Sequence, residues 1–192
     1  MLVTIIDYAY MRKGLDETTV EKNRSEIVAL LKNTQRKGID KVLQYLDGVG
    51  FYYAPSSIDR HHNWYGGLAQ HSLGVCRKAL AKSDPADRDS VVIVSLLHDI
   101  CKAARLYYGS DGRIHRRSLR VKGHGSRSIF LLRREGLELT REERLAIRWH
   151  MGTRHAAPDE AADAYDARHS RLWGILRGSD KRDAGEGKRI WY

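Results

Sequence analysis

Only two cysteines, Cys76 and Cys101, occur in the 192 residues. Both fall within apolar helical patterns, where a free thiol packs as a small hydrophobe. A disulfide framework is not expected, and a reducing cytoplasm is the natural compartment. No apolar run reaches the roughly 18 residues needed to span a bilayer, so no membrane segment is expected. The opening residues Met1-Leu2-Val3-Thr4-Ile5-Ile6-Asp7 lack the basic flank and long apolar stretch of a secretory leader. Internal repeats, low-complexity tracts and composition breaks are missing too. With 42% hydrophobic residues, the chain most simply makes one domain with its own core. No helix–turn–helix or zinc-finger spacing stands out.

Positive charge, by contrast, is plentiful. Thirty-four Lys and Arg against 24 Asp and Glu give a formal net charge of +10. Arg113, His115, Arg116, Arg117, Arg120 and Lys122 concentrate it in one short segment. Such a balance favours phosphate-bearing partners, although a charge run serves equally well as a solvated surface.

Apolar spacing predicts helices over Val20–Leu31 and Ile39–Val49, and a third opening at Gly66-Gly67 that carries Leu68, His71, Val75 and Ala79 on one stripe. Residues 1–19 read as a loosely attached arm, and Phe51–Ser57 as a connecting loop. A helix is expected from Arg88 to Ala104, because its apolar run continues through Asp99, Lys102 and Arg105 without a turn signal. Ser110-Asp111-Gly112 between two short apolar stretches reads as a hairpin turn. Helices follow over Ser126–Arg134, Glu142–His150 and Ser170–Lys181, the second announced by the capping-box spacing of Thr140 and Glu143. The pattern describes a single, mostly α-helical domain.

The chemistry concentrates at His98-Asp99, which closes the apolar run Val91-Val92-Ile93-Val94-Ser95-Leu96-Leu97. A histidine and a carboxylate at the end of a buried segment lose hydration and need a partner. His71, His124, His150 and Asp180 are four more possible ligands. Three of them have a plain alternative: His71 as a hydrogen-bonded core residue, His150 as a helix C-cap, Asp180 as a solvated helix residue. Together they form an ordered set of nitrogen and oxygen donors without a thiolate. Such a set suits a hydrolytic centre for divalent transition metals rather than a structural zinc knot. Its imidazole content favours one or two ions of Mn, Fe, Co or Ni over Mg alone.

Gly66-Gly67-Leu68-Ala69-Gln70-His71-Ser72-Leu73 and Ser95-Leu96-Leu97-His98-Asp99-Ile100-Cys101-Lys102 resemble the HD superfamily of metal-dependent phosphohydrolases. Gly123-His124-Gly125 and Arg148-Trp149-His150-Met151 are similar to the branch with two additional histidines, and Ser179-Asp180 stands where its last metal-binding aspartate is expected. The early Gly-Gly-Leu-x-x-His piece is also similar to the HD domain of bacterial 3′→5′ exoribonucleases. Two departures stand out: Cys101 replaces the usual glycine, and Ser126 stands where relatives often carry an acidic residue.

The resemblance implies an all-α HD-type domain with a small β-hairpin insertion. Residues 60–185 would form the core, 1–59 an N-terminal helical extension packed on it, and 186–192 a tail. It further implies that His71, His98, Asp99 and Asp180 hold a first metal and that His124 and His150 hold a second, with Asp99 bridging. Catalysis would rest on Asp99 and on Lys102, which would neutralise a phosphate oxygen in the transition state. His61, with its neighbour His62, and Arg148 are the candidate substrate-binding residues. The expected activity is hydrolysis of a phosphomonoester or phosphodiester in a small nucleotide-like substrate, by a metal-activated water. The alternatives are exonuclease-like action on short nucleic acid and a non-catalytic ligand-binding module.

Overall fold

The computed structural model describes residues 14–108, 113–116 and 123–187. Eight α-helices follow one another in these segments: α1 Glu17–Asn33, α2 Ile39–Gly48, α3 Gly67–Leu80, α4 Arg88–Leu97, α5 His124–Arg134, α6 Arg141–Trp149, α7 Ala161–His169 and α8 Arg171–Glu186. Between α4 and α5 lies an antiparallel pair, β1 Leu106–Tyr108 and β2 Ile114–Arg116, in which Leu106 faces Arg116 and Tyr108 faces Ile114. The expected all-α domain with a small hairpin is what the chain forms. The anticipated turn Ser110-Asp111-Gly112 lies outside the described residues, as does most of the arm at residues 1–19.

Helix α4 runs through the middle. Seven consecutive residues, Val91 to Leu97, are buried, because α1, α3, α6 and α8 surround the helix on every side. A helix apolar all round belongs inside a bundle. Leu68, Leu73 and Val75 of α3, Ile27 and Leu31 of α1, and Leu172 and Leu176 of α8 share its core. At α6, the Thr140 side chain accepts from the Glu143 backbone N–H at 3.1 Å and the Glu143 carboxylate accepts from the Thr140 N–H at 2.8 Å. The expected capping box is therefore in place.

Three expectations need correcting. The helix expected to reach Ala104 stops at Leu97. Asp99 leaves the helical region at φ −110°, ψ 15°, and a tighter 3₁₀ turn, Ile100–Lys102, follows. The break requires neither glycine nor proline, so periodicity gives no warning of it. Helix α5 starts at His124 rather than Ser126, entered through Gly123 at φ 80°. Helix α8 runs on past Lys181 to Glu186. Helix α7 went unread because its buried positions are only Ala164 and Ala167, too small to mark an apolar stripe.

Candidate metal centre

Five elements deliver the six residues singled out as ligands. His71 comes from α3, His98 and Asp99 from the end of α4, His124 from the first turn of α5, His150 from the residue capping α6, and Asp180 from α8. All six meet. Asp99 stands in the middle, its Oδ1 2.9 Å from His124 Nε2 and 3.6 Å from His150 Nε2. Its Oδ2 lies 3.3 Å from His98 Nε2 and 4.0 Å from His71 Nε2. Asp180 Oδ1 closes the other side, 3.2 Å from His71 Nε2 and 3.9 Å from His98 Nε2. The donor atoms of His71, His98 and Asp180, and those of His98, Asp99 and His150, each fall within 4.8 Å of one another.

Local backbone sets the rings' orientation. His98 and His150 are built alike: each follows the last residue of a helix at φ −56°, ψ −33°. Each donates from Nδ1 to the carbonyl three residues earlier, at 2.9 Å to Ser95 and 2.7 Å to Ile147. The ring thus caps a carbonyl left open by the helix end and is held in the tautomer that leaves Nε2 a lone pair. For His150, capping the Ile147 carbonyl and turning Nε2 toward Asp99 are one arrangement rather than alternatives. Gly125 makes the approach of α5 to α6 possible, since a Cβ there would run into the Ile147 and Arg148 carbonyl oxygens.

Among the described residues, Nε2 of His71, His98 and His150 and Oδ1 of Asp99 are buried and make no well-directed hydrogen bond, the 2.9 Å approach of His124 to Oδ1 included. Each such atom costs about 1–3 kcal/mol if left uncompensated. Four of them aimed into one space fit a divalent cation, and the nitrogen–oxygen donor set suits a transition ion. The buried His and Asp groups of this chain can hold a metal.

The charges are strongly coupled. Burial alone would raise the Asp99 carboxyl, but Lys102, His98 and His124 outweigh it and hold the group well below the usual carboxylate range. Lys102 Nζ sits 2.6 Å from Asp99 Oδ2 and 3.2 Å from Ser56 Oγ. Burial works against the His124 imidazolium, yet Asp99 pushes it up to about 9. The Nδ1 of His124 meets the Cys101 thiol at 3.5 Å, a far weaker partner than the carbonyls that hold His98 and His150.

A cleft of about 570 Å³ opens over this cluster, lined among others by Asp99, Lys102, His124, His150 and Asp180. His61 lines it as expected. Its Nδ1 lies 3.3 Å from that of His62, and burial holds both rings neutral, at about 3 and about 4. Arg148 does not line the cleft. It ion-pairs with Glu160 and approaches Asp163 at 3.7 Å, because its position on α6 turns it toward α7. Among the described residues, the cations that do line the cleft are Arg60, Arg105, Arg177 and Lys181, besides Lys102. Sequence reading missed Arg177, although it stands three residues before Asp180 on one helix face. Asp183, one turn beyond Asp180, was missed as well: its Oδ2 accepts from His71 Nδ1 at 2.8 Å. In the basic segment Arg113 is exposed and His115 partly buried. Arg117, Arg120, Lys122 and the Arg116 side chain lie outside the described residues.

The chain is 31% identical over 102 residues to a dihydroneopterin 2′,3′-cyclic phosphate phosphodiesterase of Methanocaldococcus jannaschii. The match takes in 48% of this chain and 39% of the relative, so the chain spans well under half the length of the curated relative it matches. No family model matches the chain. No solved structure matches it. Among the described residues no helix is long and apolar enough to cross a membrane.

Proposed function

We propose that this chain is a metal-dependent phosphohydrolase of the HD type that cleaves a phosphate ester in a small nucleotide-like substrate. The observation that carries the reading is the convergence of four imidazoles and two carboxylates beneath a cleft with cationic walls, four of the six lining it. The similarity to a protein named as a cyclic phosphate phosphodiesterase supports it. His71, His98, Asp99 and Asp180 would hold a first ion, and Asp99, His124 and His150 a second, with Asp99 shared. Bound there, the ions would supply Lewis-acid polarisation of the phosphoryl oxygens and a water acidic enough to attack at neutral pH.

The chain's own groups do the rest. Lys102, beside Asp99 at the cleft floor, neutralises charge that builds on a phosphoryl oxygen. Arg177 donates to the His150 carbonyl at 2.9 Å, which holds its guanidinium at the cleft wall, where an anionic substrate meets it. His61 presents a neutral ring to the substrate from the opposite loop. The hydrolase core occupies residues 60–185, with α1 and α2 as an extension packed on it. A cleft of about 570 Å³ lies within the roughly 300–1,000 Å³ range of small-molecule sites, which favours a small substrate over a polymer.

The test is a panel of mononucleotides, 2′,3′-cyclic phosphates, cyclic dinucleotides and short RNA and DNA, offered to protein reconstituted with Mn²⁺ or Co²⁺. Hydrolysis of a small phosphate ester that chelation abolishes and metal restores is the expected result. Trimming of oligonucleotide ends alone would move the assignment to an exonuclease. Binding without turnover across the panel would leave a ligand-binding module.

A further inference from the structure

We propose that Asp183 is the positioning carboxylate of the metal centre, fixing His71 as the Nδ1–H tautomer so that Nε2 is presented to the ion. The inference rests on the metal-binding reading above. His71 is bracketed by two carboxylates from one face of α8. Asp180 Oδ1 stands 3.2 Å from Nε2, on the ligand side, and Asp183 Oδ2 stands 2.8 Å from Nδ1, on the far side.

The place of Asp183 is built rather than incidental. The residue is 5% exposed. Helix α3 faces it with His71, Gly74 and Lys78, spaced three and four apart and so on one side of the helix. Gly74 makes the room, because a Cβ there would strike the Asp183 carboxylate. Lys78 Nζ takes the other oxygen, Oδ1, at 2.7 Å, while His62 Nε2 lies 3.6 Å from Oδ2. The division of labour is fixed: one oxygen for the lysine, the other for the imidazole. His98 and His150 have neutral carbonyls behind them, whereas His71 has an ionised carboxylate, which raises ligand basicity more. His71 is therefore a stronger imidazole donor than either of them.

Asp183→Asn gives the test its edge. Lys78 Nζ also reaches Glu186 Oε2 at 2.8 Å, but it can only donate, so the Asn amide turns its oxygen to the lysine and its NH₂ to His71 Nδ1. That arrangement favours the tautomer with Nε2 protonated, the wrong one for a ligand. Stripped full-length protein titrated with Co²⁺ should then bind about 10–100-fold more weakly. Adding Lys78→Met frees the amide oxygen to face His71. The double variant should regain affinity beyond whatever Lys78→Met does in the wild-type background. A Co²⁺ affinity of Asp183→Asn equal to wild type would overturn the proposal. So would a Lys78→Met effect of the same size in both backgrounds, which would mean that Asp183 acts by charge alone. Should the variants not fold, ¹⁵N spectra of Zn²⁺-loaded wild type decide: a proton on His71 Nδ1 supports the proposal, and coordination through Nδ1 overturns it. Wild type that binds no Co²⁺ would bring down the metal-centre reading itself, an outcome distinct from failure of Asp183 alone.

Discussion

Asp99 has cationic or imidazole neighbours on both oxygens, Lys102 at 2.6 Å on one and His124 at 2.9 Å on the other. A carboxylate that is shared in this way cannot be removed piecemeal. Asp99→Ala should abolish both tight metal binding and hydrolysis, read by elemental analysis and turnover on the same preparation. Lys102→Ala separates the two. Its proposed role peaks as charge develops on the phosphoryl group, so turnover should fall about 10²–10³-fold while metal content stays unchanged. An unchanged rate would return Lys102 to a purely structural partner of Asp99 and Ser56. His124 is held least firmly, with a thiol behind Nδ1 and a side chain 25% exposed. His124→Ala should empty one position and leave the other filled. Two ions per chain in that variant would show that His124 is no ligand.

At the scale of elements, the junction of α6 with the N-terminal helices hangs on Glu143. Its carboxylate closes the capping box, accepts from Ser90 Oγ at 2.8 Å and pairs with Arg36 at 2.9 Å, with its own side chain fully buried. Burial would raise this group, but Arg36, the Thr140 backbone and Ser90 prevail and lower it. A depressed carboxyl contributes stability above its unfolded value, and that contribution is lost as pH falls through the folded value. Glu143→Gln should therefore be destabilised at pH 7 by about 2–3 kcal/mol, toward the low end for a broken buried pair because Arg36 can still reach water. The gap to wild type should narrow below about pH 4. Denaturant melts at the two pH values check this; a pH-independent gap would contradict it. The Thr140–Glu143 cap was legible in the sequence because it is a local code. So were the apolar patterns of α1 to α4 and the six His and Asp residues that meet around Asp99, where several chemically unusual residues lined up in order. The end of α4 at Leu97 was not, since burial of Asp99 against α5 and α6 decides it and no local residue announces it. Nor was Asp183: an aspartate in a charged helix looks solvated until the Gly74 gap on α3 is placed opposite it.

Taken as a whole, the molecule gathers the six residues of the cluster from positions far apart in the chain, His71 on α3 to Asp180 on α8, with α4, α5 and α6 between. An unfolded chain cannot present these groups together, so a cation that binds here binds the folded state. Linkage then stabilises the fold by about 2.7 kcal/mol when free metal is 100 times its dissociation constant. For a domain of this length that corresponds to a rise of about 5–11 °C in midpoint, at about 2–4 °C per kcal/mol. Reconstitution with Mn²⁺ or Co²⁺ should raise the Tm of chelator-stripped protein by that order, and the rise should follow metal concentration logarithmically. The same addition to Asp99→Ala should move its Tm little. The two measurements separate site binding from ions attached to the surface, which the formal charge of +10 already disfavours. A stripped wild type that melts at the same temperature with and without metal would mean that the four buried, unpartnered donor atoms are satisfied in some other way, and the cluster would not be a metal centre.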